Sequence, residues 1–413
     1  MAQPITVSHD AATPQLRSNN AWLTIVTTGI MAAIHIWKLP VALPILESEL
    51  GMSLLASGLL LGIIQFASMV GGLLVAWCGE MAGLRRLIVV GLLLLAVGSL
   101  LGSTTTSIEL LMLYRGIEGI GFLLCTVLAP ALIRRVCTPA QLNVAFSAWG
   151  AFQGTATIVG FAVGGLLLEV LSWQLLWIVL AVLTLLLIVP LLRTTDPDPH
   201  QATKNLTRNS WHRILKTVRT WRPWVAGLTF ASYTLQWMAV MGFLPTVFAT
   251  ANIAPLQAAL LSAVVGGVNV IGALIAGRLL SNGIQIRHIV VSTFMAMAIT
   301  SFLFFAIDWK PTGLGLTGQL ICAISFSMIG GTVPAVLTRL AVDLAPPGGS
   351  VAAVIGLMQQ IFNVGNFFGP ALLAWVVTMT GSWNSSWWVT VSFSILGIAC
   401  TLILTTASKA QTS

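Results

Sequence analysis

Charge is what this sequence has least of. Lysine, arginine, aspartate and glutamate together make up 7% of its 413 residues, against about 25% in an ordinary soluble domain. So few charged side chains cannot cover a water-soluble globule, which leaves the bilayer as the solvent. Alternating apolar and polar residues over about ten positions, the mark of a membrane barrel, are missing as well. There is no HExxH, GxSxG or Walker A loop, and no His/Asp/Glu set at metal-ligand spacing. An enzyme is therefore not expected, nor a metal or other cofactor. The five cysteines, Cys78, Cys125, Cys137, Cys322 and Cys400, form no CxxC pair and read as reduced thiols. The first twenty residues are polar and lack a signal-peptide core, so the first apolar run is expected to be retained.

What is present is one apolar run after another, with 57% hydrophobic residues overall. Runs of roughly twenty residues suit helices crossing ~30 Å of hydrocarbon, where the backbone must satisfy its own hydrogen bonds. Twelve such helices are expected, at roughly 21–46, 54–78, 85–103, 108–134, 142–170, 173–193, 224–250, 256–280, 287–307, 313–338, 351–379 and 386–407. With that count the basic residues fall on one side. Arg85 and Arg86 follow the second helix, Arg134 and Arg135 the fourth, and Arg278, Arg287, Arg339 and Lys409 lie beyond the centre. The other side offers Lys310 against Glu47, Glu49, Glu109, Glu169 and Asp308. Positive charge marks the cytoplasmic side, which places both termini there. The formal charge of +8 is thus explained by topology, and no nucleic-acid partner is expected.

The chain divides into a tail (1–20), a first bundle (21–193), a central loop (194–222), a second bundle (223–407) and a short tail (408–413). The loop opens on Asp196-Pro-Asp-Pro199, a helix stop. It then places Trp211, Ile214, Leu215, Val218 and Trp221 at helical spacing, opposite Arg213, Lys216, Arg219 and Arg222. That pattern suits a helix lying on the anionic leaflet, or one docking a protein partner. The two bundles repeat each other: Pro44 matches Pro245, Gly71 matches Gly272, Pro130-Ala131 matches Pro334-Ala335, Arg135 matches Arg339, Gly160 matches Gly369, and Ser172-Trp173 matches Ser382-Trp383. Two repeats of this kind place a solute site at the midplane between them, where rocking exposes it to either side. The fold class is therefore an all-α membrane protein of about twelve helices in two six-helix pseudo-repeat bundles.

Helix four reads Leu111-Met-Leu-Tyr-Arg115-Gly-Ile-Glu118-Gly119-Ile-Gly121, and the loop before helix three reads Gly79-Glu80-Met81-Ala82-Gly83-Leu84-Arg85-Arg86. These resemble motifs B and A of the major facilitator superfamily, the second in degenerate form, with Glu80 in place of aspartate and Met81 in place of the first arginine. The resemblance covers nearly the whole chain. Helix five, Gly160-Phe161-Ala-Val-Gly164-Gly165, is similar to the antiporter motif C with Phe161 where proline belongs, and helix eleven carries Gly365-x-x-x-Gly369-Pro370. Pro130 to Arg135 together with Trp149-Gly150 resembles the cyanate-permease-like members. The resemblance implies a secondary transporter working by alternating access, with Glu80, Gly83, Arg85 and Arg86 as a cytoplasmic gate. It also implies that helices one and four both line the cavity. The glycines at 160, 164, 165, 365 and 369 are small-xxx-small positions that allow close helix packing, beside the helix-bending Pro370.

Four charged or titratable residues lie deep inside helices, where ionisation costs at least ~2.5–3.5 kcal/mol. His35 and Lys38 are three apart in helix one, and Arg115 and Glu118 three apart in helix four, so each pair shares a face. Counted at 1.5 Å per residue from the helix ends, Lys38, Arg115 and Glu118 lie ~10–15 Å deep. Glu118 is the expected proton carrier and His35 the second candidate. Arg115 and Lys38 are expected to hold a substrate's negative group. The same four residues also suit a structural ion pair, and Lys38 could snorkel outward. Trp37, Tyr114, Trp149, Gln153, Gln236, Trp237 and Asn363 are candidate lining residues, each also suited to interhelical hydrogen bonding or packing. The expectation is a monomeric, proton-coupled carrier of a small solute, an anion by preference, in the bacterial inner membrane. The alternatives are an exporter of larger amphipathic compounds and a transporter-derived sensor.

Overall fold

The computed structural model describes residues 21–198, 206–309 and 314–409; of Ala76, Trp77, Glu80, Ala352 and residues 206–211 and 407–409 it describes the backbone alone. The N-terminal tail and Lys310 lie outside the described residues. Everything described is helix, turn or loop.

The first bundle begins with α1 (Ala21–Leu50), followed by α2 (Leu54–Ile63) and α3 (Phe66–Ala82), which together make the second span. The third and fourth spans are α4 (Leu84–Ser103) and α5 (Ile108–Val136). The fifth is α6 (Pro139–Gly150) with α7 (Phe152–Leu168), and the sixth is α8 (Trp173–Leu186) with α9 (Ile188–Thr194). After the linker helix α10 (Leu206–Val218), the second bundle runs through α11 (Trp221–Thr250), α12 (Pro255–Gly267) with α13 (Asn269–Ser281), and α14 (Ile286–Ala306). It closes with α15 (Gly315–Gly330) and α16 (Thr332–Asp343), α17 (Val351–Thr380) and α18 (Trp387–Lys409). Trp221, read from sequence as part of the linker's apolar face, opens α11 instead.

Among the described residues ten helices are long and apolar enough to cross a membrane, or eleven if the pair α6 and α7, bent by 42°, is one span. The helix that falls short is α11. At 30 residues it is long enough to cross, but buried Thr229, Ser232, Thr234 and Gln236 dilute its apolar character. The breaks have local causes. Proline supplies no N–H to the carbonyl four residues earlier. Pro190 and Pro334 therefore free the carbonyls of Leu186 and Gly330, the residues at which α8 and α15 stop.

The bundles meet through α1 with α11, through α2 and α3 with α17, and through α7 with α12. Small residues make these contacts possible. A Cβ on Gly58 would meet the Pro370 carbonyl at 2.7 Å, and one on Gly165 would meet Ala259 Cβ at 2.5 Å. Inside the second bundle, Gly365 and Gly369 press on the α11 backbone at Ala231 and Leu235. Pro44 and Pro245, equivalent in the repeat, line one small cavity of about 60 Å³ between the bundles, with Gly165 and Glu169.

Candidate functional site

The four interior charges predicted from sequence form one cluster. Helical spacing alone brings His35 to Lys38 and Arg115 to Glu118; the packing of α1 on α5 brings the pairs together. None of the four is more than 1% exposed. The Glu118 carboxylate receives Lys38 on Oε1 and the Arg115 guanidinium on Oε2, the latter at 2.5 Å. Lys38 Nζ also donates to Ser99 Oγ at 2.7 Å and to His35 Nδ1 at 3.3 Å. Its three N–H bonds are thereby all used, and its charge lies 4.3 Å from the centre of the Trp177 ring, a cation–π arrangement.

The hydrogen-bond chain also defines His35. Thr184 Oγ1 donates to the Leu180 carbonyl at 2.7 Å, so at 2.9 Å it must accept from His35 Nε2. With Nδ1 accepting from Lys38, the ring is the neutral tautomer protonated on Nε2. Ser99 is committed in the same way, donating to the Trp177 carbonyl at 2.9 Å while accepting from Lys38.

Arg115 is the exception. One terminal nitrogen serves both the His35 carbonyl, at 2.7 Å, and Glu118. Its Nε and its second terminal nitrogen are buried with no hydrogen-bond partner among the described residues. These two nitrogens form one edge of the guanidinium, the fork that grips a carboxylate-like oxygen pair. The formal charge of the cluster, two cations against one carboxylate with His35 neutral, is +1.

The cluster lies within the first bundle. Lys38 and His35 reach α4, α5 and α8, not the second bundle. On the other side of α1, Trp37 faces α11. Its ring meets Trp237 edge-on at 5.5 Å and Phe161 at 5.4 Å between centroids. Gly160 seats it, since a Cβ there would collide with Trp37 Cβ. Trp237 donates to Ser327 Oγ at 3.1 Å. Trp149 stacks on Phe152 at 4.3 Å, and Gln153 carries a buried Oε1 with no partner among the described residues. Asn363 donates to the Gln359 carbonyl at 2.8 Å within α17, and Tyr114 is half-buried with no hydrogen bond to the cluster.

Gln236 repeats His35. It accepts from Ser394 Oγ of α18 at 2.9 Å and donates to the Ser232 carbonyl at 2.8 Å, as His35 bonds Thr184 of α8. It too faces into its own bundle. Sequence reasoning did not single out Ser99, Trp177, Thr184 or Ser394, because a single hydroxyl or indole in an apolar run carries no signal of what faces it. Gln65 was also missed. It is 3% exposed, its Oε1 has no partner among the described residues, and it lies one turn beyond Leu61, which packs on Gly242 of α11.

At the basic end, Asp198 binds the residues read as a gate. Its carboxylate accepts from the backbone N–H groups of Arg85 and Arg86 at 3.2 and 3.0 Å, and pairs with the Arg135 guanidinium at 2.7 Å. Gly83 allows this approach. It has φ of +97°, and a Cβ there would meet Asp198 Cγ at 2.5 Å. Burial acts to raise the Asp198 pKa, but the Arg86 and Arg85 N–H groups and the Arg135 charge outweigh it and hold the carboxyl below its usual range. Arg85 in turn donates to the Leu192 carbonyl at 2.5 Å. The Glu80 side chain lies outside the described residues. In the sequence Asp198 reads only as part of a helix stop; the signal available was a pair of aspartates, Asp196 and Asp198, at the head of an otherwise basic segment.

Two repeated bundles of long apolar helices, with polar and aromatic groups buried between and within them, define an all-α membrane protein. The Major Facilitator Superfamily profile matches residues 22–361, and the chain belongs to that family. Among curated relatives, it is 25% identical over 254 residues to the Acurin A biosynthesis cluster MFS-type transporter of Aspergillus aculeatus, covering 56% of this chain and 45% of the relative. It is 27% identical over 180 residues to the Tetracenomycin C resistance and export protein of Streptomyces glaucescens, covering 42% and 32%. The chain thus spans less than half the length of either. Among solved structures, the nucleoside transporter NupG superposes with a TM-score of 0.78 at 14% identity, covering 93% of this chain and all of that one. That likeness concerns the fold.

Proposed function

We propose that this protein is a monomeric, proton-coupled carrier of a small organic or inorganic anion. It sits in a bacterial inner membrane with its basic end and both termini cytoplasmic. The observation that carries this reading is the buried, unpartnered edge of Arg115 in a cluster of formal charge +1. Buried donors without partners are costly, by about 1–3 kcal/mol and more when charged. A carboxylate-like oxygen pair on that edge satisfies the nitrogens and brings the cluster to neutrality. A proton on Glu118 raises the empty cluster to +2 and strengthens its hold on an anion. By linkage the anion strengthens the hold on the proton, so the two travel together. His35, with its Nδ1 at 3.5 Å from Glu118, is the neighbouring proton acceptor. Rocking of the bundles about the contacts at Gly58 and Gly165 opens the path beside the cluster, with Trp37, Tyr114, Trp149, Gln153, Trp237 and Asn363 shaping that path. Lys38 and Gln236 act from inside their bundles.

A second reading, export of a larger amphipathic compound, is favoured by the Trp37, Phe161 and Trp237 contact between bundles and by the name of one relative, the Tetracenomycin C resistance and export protein. A thermal-shift screen of the purified protein separates the two. A ligand specific for the folded form stabilises it by about 2.7 kcal/mol at a hundredfold excess over its Kd. Stabilisation by small carboxylates or cyanate, lost in Arg115→Gln and reduced in Arg115→Lys, is the expected result. Stabilisation by bulky amphipathic compounds alone, unchanged in both variants, overturns the anion reading. Counterflow in liposomes separates a carrier from a sensor, which binds without moving its ligand.

A further inference from the structure

The linker helix α10 does not lie free on the surface. Arg213 donates from Nε and a terminal nitrogen to the Gly349 carbonyl, at 3.2 and 3.0 Å. Thr217 Oγ1 accepts from the Ser350 N–H at 3.0 Å, just before α17 begins. The helix is thereby pinned to the turn that carries Pro346 and Gly349, closed by a Gly349-to-Pro346 hydrogen bond of 2.7 Å. Between helix and turn lies a cleft of about 300 Å³ lined by His212, Arg213, Leu215, Lys216, Arg219 and Gly348. Four of these six are basic or titratable to a cation, and none is acidic. Lys216 and Arg219 are exposed and make no hydrogen bond or ion pair among the described residues. Lys216 Nζ would lie 3.3 Å from a Cβ on Gly348, a left-handed glycine with φ of +69° that keeps the cleft floor open.

The depth of the cleft is marked by its neighbours. Trp221 and Trp224 are 48% and 46% exposed and follow Arg219 by two and five residues at the start of α11, and Leu228 is exposed one turn further along that helix. Indoles concentrate at the membrane–water interface, with aliphatic side chains beyond them in hydrocarbon. The cleft therefore opens at headgroup level. An amphipathic helix with a basic face at that level attracts anionic lipid, at a strength that grows with each lysine or arginine.

We propose that this cleft binds the phosphate of an anionic phospholipid headgroup, held between Lys216 and Arg219 over Gly348, and so fastens the linker to the start of α17. The inference does not depend on the cargo of the carrier. It is tested on the full-length protein in neutral detergent by native mass spectrometry, titrating phosphatidylglycerol or phosphatidylcholine, with glycerol 3-phosphate as a soluble competitor. Wild type is expected to prefer phosphatidylglycerol. The double variant Lys216→Gln, Arg219→Gln, which leaves the Arg213 contact in place, should lose roughly thirtyfold of that preference, the effect of removing two interfacial charges. The charge-preserving variant Lys216→Arg, Arg219→Lys should keep it. Equal preference in wild type and the neutral variant overturns the proposal, as does no preference in wild type. Glycerol 3-phosphate displacing the lipid at equal concentration also overturns it, since the cleft would then be a site for free phosphate.

Discussion

Glu118→Gln is the perturbation with the largest consequence that the structure makes calculable. The carboxylate is the only acidic group in a cluster in which Lys38 and Arg115 are each 1% exposed. Glutamine keeps the size and a carbonyl acceptor but removes the charge, taking the formal total from +1 to +2. Breaking a buried ion pair by removing one partner costs about 3–5 kcal/mol, because the surviving charge has nowhere to go. That corresponds to a factor of roughly 10²–10³ or more in the folded-to-unfolded ratio. The loss should be largely relieved by Lys38→Met in the same chain, which returns the total to +1 and leaves an apolar side chain against Trp177. Lys38→Met alone leaves the Arg115–Glu118 pair intact and neutral and should cost less than Glu118→Gln. The assay is unfolding of the four proteins in detergent, analysed as a double-mutant cycle. Additive losses, with no recovery in the double variant, would refute the claim that these charges are coupled in one buried network. In liposomes the same Glu118→Gln variant, where it folds, should exchange substrate across the membrane but fail to accumulate it on a proton gradient.

Gly160→Ala places a Cβ on Trp37, so overpacking of about 1–3 kcal/mol is expected. Pairing it with Trp37→Leu should not recover stability in a thermal melt, because leucine keeps the Cβ that the new methyl meets; full recovery would show that the indole ring, not the helix contact, is the obstacle. Asp198→Asn should destabilise the protein at pH 7 by about 1.5–3 kcal/mol, the worth of hydrogen bonds to a charged group. Because the folded-state pKa of Asp198 is depressed, its contribution is present in full above the unfolded value of about 3.9 and is lost as pH falls through the folded value. Melts of wild type and Asp198→Asn should therefore begin to converge as pH falls below about 4 and meet only below the folded-state pKa; a gap that persists through that range would remove charge as the cause.

Much was legible before any coordinates. Apolar run length defines spans, because hydrocarbon forces each backbone to pair with itself. The spacing of His35 to Lys38 and of Arg115 to Glu118 defines shared faces, because the helix repeats every 3.6 residues. The two-fold repeat, visible at Pro44 and Pro245, reappears in the contacts of His35 with Thr184 and of Gln236 with Ser394. The offset of 201 residues at the first pair and 210 at the second follows the drift seen between the sequence halves.

Other features depended on three-dimensional packing alone. Periodicity tells which residues share a face of one helix but not which neighbour that face meets. Only the packing of α1 against α4, α5 and α8 turned Lys38 into the first bundle and Trp37 toward the second. Only tertiary contact recruited Ser99 and Thr184 to use up the donors of Lys38 and His35, while leaving one edge of Arg115 bare. The linker shows the same division. Its basic spacing was plain in the sequence, but the Asp198 contact with Arg135, 63 residues earlier, and the cleft over Gly348 join segments far apart in the chain. Hydropathy has a memory of a few residues, whereas an ion pair or a cleft wall is decided by whichever helix end folds back to meet it.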